Sequence, residues 1–198
     1  MTPPPSSRKS LAALIAGPIV RVLARTGITP NTLTVISFLG SAGAAALVAT
    51  DHLFAAGFVL LGASVFDILD GALARATNRV TRFGGVLDST LDRLAEALVL
   101  VAVAVVFARA GMVNGVAVAG LALIGSFLVS YVRARAEGAG IKCEVGILTR
   151  PERVILLALG LFLSNFRYGL LGVVGAIAVL SFVTAGQRLF HVWRQTRT

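Results

Sequence analysis

Cysteine, histidine and acidic side chains are scarce in this 198-residue chain. A single cysteine, Cys143, excludes an internal disulfide. His52 and His191 are the only histidines and stand far apart, so no thiolate–imidazole set for zinc is in sight. Charged residues make up only 14% of the chain and hydrophobic ones 57%. A soluble domain carries about a quarter charged residues. With a mean hydropathy of +0.88, this is an integral membrane protein. Only nine residues are acidic, leaving a net charge of +9. Such a balance can serve nucleic acid. Here the basic residues fall between apolar runs, where they orient a membrane chain and attract anionic lipid or phosphate, so no nucleic-acid partner is expected.

The expected fold class is all-α and integral to the membrane. A span needs roughly 20 apolar residues. Six candidates are read, at about 32–50, 53–75, 86–108, 112–134, 152–169 and 170–190. The last two touch around Arg167–Gly169. The Pro/Ser-rich start, residues 1–9, reads as a disordered tail, and residues 10–198 as one membrane domain. Leu11, Leu14, Ile15, Ile19, Val22 and Leu23 recur at near-helical spacing among Pro18, Arg21 and Arg25, as in an amphipathic helix lying in the interface. A cleaved signal peptide is the rival reading. Lys and Arg concentrate before span 1, between spans 2 and 3, between spans 4 and 5, and at the end. That asymmetry places both termini on the cytoplasmic side. Gly169, Gly172 and Gly175, with the pair Gly172/Ala176, let helices approach closely, either within the chain or between two copies.

Four of the five aspartates lie in one 26-residue window: Asp67-x2-Asp70-Gly71-x2-Ala74-Arg75-x8-Gly84-x3-Asp88-x3-Asp92. A carboxylate in a membrane span is costly and points to function. Asp67/Asp70 are i,i+3 and Asp88/Asp92 are i,i+4, so each pair shares a helix face. A short connection makes the two helices antiparallel neighbours whose faces converge. Gly71 clears space beside Asp70, and Gly84 and Gly85 are expected to permit the turn back into the membrane. Carboxylates without His or Cys select a hard cation, Mg²⁺ or Mn²⁺. Four of them can bracket two such ions, an arrangement suited to displacement at phosphorus. Arg75 can reach a phosphate, and one carboxylate left free can act as a general base. The bland alternative for any single aspartate is a helix-end or counter-ion role.

The window resembles the signature of the CDP-alcohol phosphotransferases, D-x2-D-G-x2-A-R-x7-8-G-x3-D-x3-D, at every fixed position. The six-span layout is similar too. The resemblance implies transfer of a phosphatidyl or similar group from a CDP-linked lipid to an alcohol, with release of CMP. It implies that Asp67, Asp70 and Asp88 are metal ligands, and that Asp92 binds the second of two ions and serves as the catalytic base. It implies donor contacts from Asp67, Gly71, Arg75 and Thr81. The turn Thr29-Pro30-Asn31-Thr32-Leu33-Thr34 resembles the family's donor-binding turn. On its own residues it is simply a helix start. A homodimer in the cytoplasmic membrane is also implied.

Tyr131–Gly138 and Thr149–Arg153 hold Arg133, Arg135, Arg150 and Arg153, interleaved with Glu137 and Glu152. Arginine forks suit phosphate oxygens, although a basic anchor at the membrane edge is the plainer reading. The strings A-R-A-E-x2-G and R-P-E-R resemble the phosphatidylinositol-phosphate synthase branch. That branch implies that Arg133, Arg150, Arg153 and Arg188 bind the phosphate of an acceptor, 1D-myo-inositol 3-phosphate, with CDP-diacylglycerol as donor. Glycerol 3-phosphate as acceptor and an archaeal CDP-lipid as donor are variants of the same chemistry. A cation transporter is the rival of a different class, since buried carboxylates also mark ion pathways. It leaves Gly71, Arg75 and the arginines without a role, and no related repeat of broken helices is visible.

Overall fold

The computed structural model describes residues 17–166 and 168–197. The expected tail, the residues Leu11, Leu14 and Ile15 of the amphipathic stretch, and Arg167 lie outside the described residues. Among those described, every regular element is helical. Residues 17–25 form α1. It is followed by α2 (Pro30–Ala49), α3 (Leu53–Ala76), α4 (Arg82–Arg109), α5 (Val113–Gly138), α6 (Arg150–Phe162), a 3₁₀ turn (Leu163–Asn165) and α7 (Gly169–Thr196).

Local chemistry sets most boundaries. Thr29 caps α2, with its hydroxyl accepting from the Thr32 N–H and Pro30 in the first turn. Thr81 caps α4 by accepting from the Gly84 N–H at 2.9 Å. Glu152 accepts from both the N–H and the hydroxyl of Thr149, the reciprocal cap that opens α6. Asp51 and Asn78 take left-handed backbone (φ 63° and 53°) in the α2–α3 and α3–α4 turns, where short polar side chains tolerate that region.

The helices α2 to α7 pack in the cyclic order α2, α3, α6, α7, α5, α4. Small residues make the close packing possible. Ala44, Ala56, Ala122 and Ala158 are all but fully buried in the main apolar core with Val48, Val99, Val103, Leu161 and Val174. A Cβ at Gly57 would lie 2.5 Å from the Phe162 ring, and one at Gly125 2.9 Å from Ser181 Cβ. A smaller core joins Val20 of α1 to Leu33, Leu69 and Leu73 at one end of the bundle. The outer faces carry many large apolar side chains, among them Phe58, Val65, Ile124, Val179 and Phe182. Apolar surface of that extent is a lipid-facing surface.

Four helices, α2, α3, α5 and α7, are long and apolar enough to cross a membrane. The chain is therefore a multi-pass membrane protein. The expected third span begins earlier than read, at Arg82, and Asp88, Asp92, Arg93 and Glu96 along it lower its apolar content. The expected fifth span is a 13-residue helix followed by the 3₁₀ turn. Gly84 and Gly85 do not form a turn. Both lie in the first turn of α4, and Gly84 is needed for space: a Cβ there would sit 2.9 Å from Thr81 Oγ1 and 3.0 Å from Asn31 Oδ1. Gly169 and Gly175 of α7 face the chain's own Leu163 and Val118, whereas Gly172 opens to free space.

Candidate active site

The two aspartate pairs meet as their spacing requires. Asp67 and Asp70 occupy the last turns of α3, Asp88 and Asp92 the second and third turns of α4. Asp67, Asp70 and Asp88 each offer one carboxylate oxygen, and these lie within 4.8 Å of one another. Asp70 is 5% exposed, and its Oδ2 accepts from the Thr34 hydroxyl at 2.6 Å. That hydroxyl also reaches Pro30 O at 3.2 Å, so α2 fixes the carboxylate's orientation. Asp67 Oδ1 is buried and has no hydrogen-bond partner. Three converging carboxylates, one with an unsatisfied buried oxygen, fit a hard divalent cation.

Beside this group a cavity of about 280 Å³ opens between the start of α2, the end of α3 and the start of α4. Pro30, Asn31, Asp70, Gly71, Arg75, Thr81 and Asp88 line it. Ala74, Arg79, Val80, Gly84 and Gly85 complete the wall without having been singled out as donor contacts. Arg75 lies back over Gly71, where a Cβ would come 3.3 Å from its guanidinium. Three residues of the expected donor turn do not line this cavity. Thr32 hydrogen-bonds the capping Thr29 at 2.8 Å, Leu33 packs into the core with Val20 and Leu73, and Thr34 serves Asp70. A helix turns 100° per residue, so five consecutive residues cannot face one cavity.

Asp92 lies outside the group of three but beside Asp67, one turn along α4 from Asp88. Its Oδ1 pairs with Arg150 Nη2 at 2.6 Å, while Arg150 Nη1 lies 2.5 Å from Asp67 Oδ2. Arg150, the first residue of α6, thus bridges the acidic faces of α3 and α4. One turn on, Arg153 is 2% exposed. Its Nε and Nη2 meet both oxygens of Glu96, at 2.6 and 2.9 Å, and its Nη1 reaches Leu148 O at 3.4 Å. Asp92 and Glu96 are i,i+4, and Arg150 and Arg153 are i,i+3, so two charged rungs link α6 to α4 across the bundle. Sequence reasoning missed Glu96. Its signal was a third acid continuing the Asp88/Asp92 face into an apolar run.

The remaining arginines are placed separately. Arg188 of α7 is 3% exposed and donates to Val145 O at 2.8 Å and Val129 O at 2.6 Å, pinning the α5–α6 connection. Gly146 lies against it at φ 135°, where a Cβ would meet Thr184 Cγ2 at 2.5 Å. Arg133 sits on the surface of α5 and donates to Glu137 at 2.8 Å.

The CDP-alcohol phosphatidyltransferase family model matches residues 27–185. Archaetidylinositol phosphate synthase of Pyrococcus horikoshii is 42% identical over 87% of this chain and 88% of its own. Phosphatidylinositol phosphate synthase of Mycobacterium marinum is 36% identical over 98% of this chain and 86% of its own. The fold is similar to the crystal structure of Mycobacterium tuberculosis phosphatidylinositol phosphate synthase with CDP-DAG bound. The TM-score is 0.84, with 35% identity and 91% and 94% of the two chains covered. The structure of the same enzyme with manganese and citrate gives a TM-score of 0.81 at 35% identity, covering 90% and 88% of the two chains.

Proposed function

The chain belongs to the CDP-alcohol phosphatidyltransferase family, and we propose that it transfers a phosphatidyl group from CDP-diacylglycerol to 1D-myo-inositol 3-phosphate, releasing CMP. One observation carries the reading: the carboxylates of Asp67, Asp70 and Asp88 converge beside a cavity walled by Asn31, Gly71, Arg75 and Thr81. Relatives named for making an inositol phosphate lipid support the acceptor, and a similar structure with CDP-DAG bound supports the donor. These leave glycerol 3-phosphate and ion transport without support.

Asp67, Asp70 and Asp88 would hold one divalent cation, Mg²⁺ or Mn²⁺, and Asp92 would contribute to a second. The manganese-bound relative supports the metal class. When bound, the ions neutralise the pyrophosphate of the donor and the CMP that leaves. The residues of the chain do the rest. Thr34 keeps Asp70 turned toward the ligand group. Gly71 and Gly84 keep side chains out of the cavity, and Asn31, Arg75 and Thr81 face the CDP moiety. Asp92 removes the proton of the acceptor hydroxyl, whose oxygen bonds to the lipid-side phosphorus as the bond from that phosphorus to CMP breaks. Arg133, Arg150, Arg153 and Arg188 serve the acceptor's phosphate. Arg153 and Arg188 would do so by exchanging the partners they hold here.

We further take the domain, residues 10–198, to cross the cytoplasmic membrane six times as a homodimer, with both termini and the site on the cytoplasmic side. The basic residues cluster at the site end of the bundle, which supports that sidedness. At 1.5 Å per helical residue and about 2 Å per 3₁₀ residue, α6 with its 3₁₀ turn spans about 25 Å, near the roughly 30 Å hydrocarbon thickness. The open space at Gly172 suits a second helix.

The test is CMP release by purified protein with CDP-diacylglycerol and Mg²⁺, comparing inositol 3-phosphate, glycerol 3-phosphate, inositol and serine. Release only with inositol 3-phosphate is the expected result. Release only with another acceptor would overturn the acceptor assignment and keep the aspartate chemistry. No release with this donor or with a CDP-linked archaeal lipid would overturn both.

A further inference from the structure

Arg150, about a quarter exposed, differs from the two buried arginines near the site. Arg153 meets both oxygens of one carboxylate and a carbonyl, and Arg188 meets two carbonyls. Arg150 instead spans two carboxylates on different helices, Asp67 at 2.5 Å and Asp92 at 2.6 Å. The arrangement is not saturated on either side: Asp67 Oδ1 and Arg150 Nε are both buried without partners. A saturated structural bridge leaves no such atoms. Buried atoms left in this way need an account, and a further ligand such as an ion at Asp67 is one.

We propose that Arg150 is a resident counter-cation of the metal site, which a divalent ion displaces and so hands to the phosphate of the acceptor. The inference rests on the transferase reading above. Asp67 belongs both to the converging ligand group and to the Arg150 bridge. A divalent ion and the guanidinium are therefore like charges drawing on one carboxylate, in a setting with little water to screen them. The backbone at Arg150 does not have to move, because Thr149 and Glu152 cap the helix around it. Only the side chain swings. A metal that expels Arg150 from Asp92 also frees the carboxylate assigned to the acceptor's proton, so metal loading, base and acceptor site would be set together.

The first test reads Mn²⁺ binding to the purified full chain in detergent by electron paramagnetic resonance, with no substrate present. Arg150→Gln should bind Mn²⁺ about tenfold more tightly than the unsubstituted protein. Arg150→Lys, a point charge that cannot span both carboxylates, should fall between, and it serves if the glutamine variant does not fold. Arg135→Gln removes the same charge from an exposed site and should leave the affinity unchanged. Unchanged or weaker Mn²⁺ binding on loss of the Arg150 guanidinium would overturn the proposal.

The second test is calorimetric titration with inositol 3-phosphate. Mn²⁺ should tighten its binding at least fivefold in the unsubstituted protein and hardly at all in Arg150→Gln. Equal Mn²⁺ dependence in both would overturn the hand-over. An unsubstituted protein that binds no Mn²⁺, or no inositol 3-phosphate under any condition, would instead count against the transferase reading itself.

Discussion

On the α3–α4 side of the site, Asp70 and Asp88 border a cavity of about 280 Å³ and Asp67 keeps a buried oxygen without a partner. On the α5–α7 side, Arg153 and Arg188 are 2% and 3% exposed and already bonded to the protein. The two sides carry opposite charge and use it differently. Thr34 holds Asp70 and Arg150 holds Asp67, which keeps one oxygen spare. The arginines rest on protein partners, which the proposed acceptor's phosphate would replace, and so they also hold α4, α6, α7 and the α5–α6 connection together. A residue that presents charge to a ligand and one that spends its charge on the fold look the same in a motif. They separate only by what else the side chain touches.

Substitutions on each side can break that contrast. The largest effect is expected at Asp92→Asn, which removes the base while leaving the donor cavity intact. CMP release should fall by about 10²–10⁴-fold, with CDP-diacylglycerol binding retained. A fully active variant would remove Asp92 from the chemistry. Next is Glu96→Ala, which strips Arg153 of its bidentate partner and leaves a buried charge uncompensated. A loss of about 3–5 kcal/mol of stability is expected, read as a large fall in the unfolding midpoint in detergent. Unchanged stability would mean that the Arg153–Glu96 pair does not hold α4 and α6 together.

Gly84→Ala probes the acidic side without touching a charge. Its Cβ would press on Thr81 Oγ1 and Asn31 Oδ1 at 2.9 and 3.0 Å. Displacing these walls should cost about 1–3 kcal/mol, appearing as a raised KM for the donor with the acceptor's KM unchanged. The smallest structural effect belongs to Arg133→Gln. The Arg133–Glu137 pair is 46% and 48% exposed, and such an i,i+4 pair is worth about 0.3–0.5 kcal/mol. Stability should hardly change, while the KM for inositol 3-phosphate rises. No rise would place Arg133 with the anchoring residues of the membrane edge.

Much of this was legible in the chain. The apolar runs marked the helices, and Thr29-Pro30 marked one of their starts. The aspartate spacing located both acidic faces. The short α6, expected as part of a full fifth span, was less legible, because the apolar run through Arg167 continues past the point where the backbone tightens into a 3₁₀ turn. The donor turn was over-read. Residues 29–34 share a sequence string but point around a helix start, so only Pro30 and Asn31 reach the cavity.

What the sequence determined by itself is local: membrane residence from composition, helix placement from apolar length, two carboxylate faces from i,i+3 and i,i+4 spacing, and a preference for a hard cation from an oxygen-only donor set. Only the tertiary structure decided which cation-bearing side chain neutralises which acid. Arg150 meets Asp67 across 83 residues and Arg153 meets Glu96 across 57. Spacing along a chain specifies what shares a helix face. Contacts between helices depend on packing order and axial register, which small residues such as Gly57 and Gly125 set by how closely they let two helices approach.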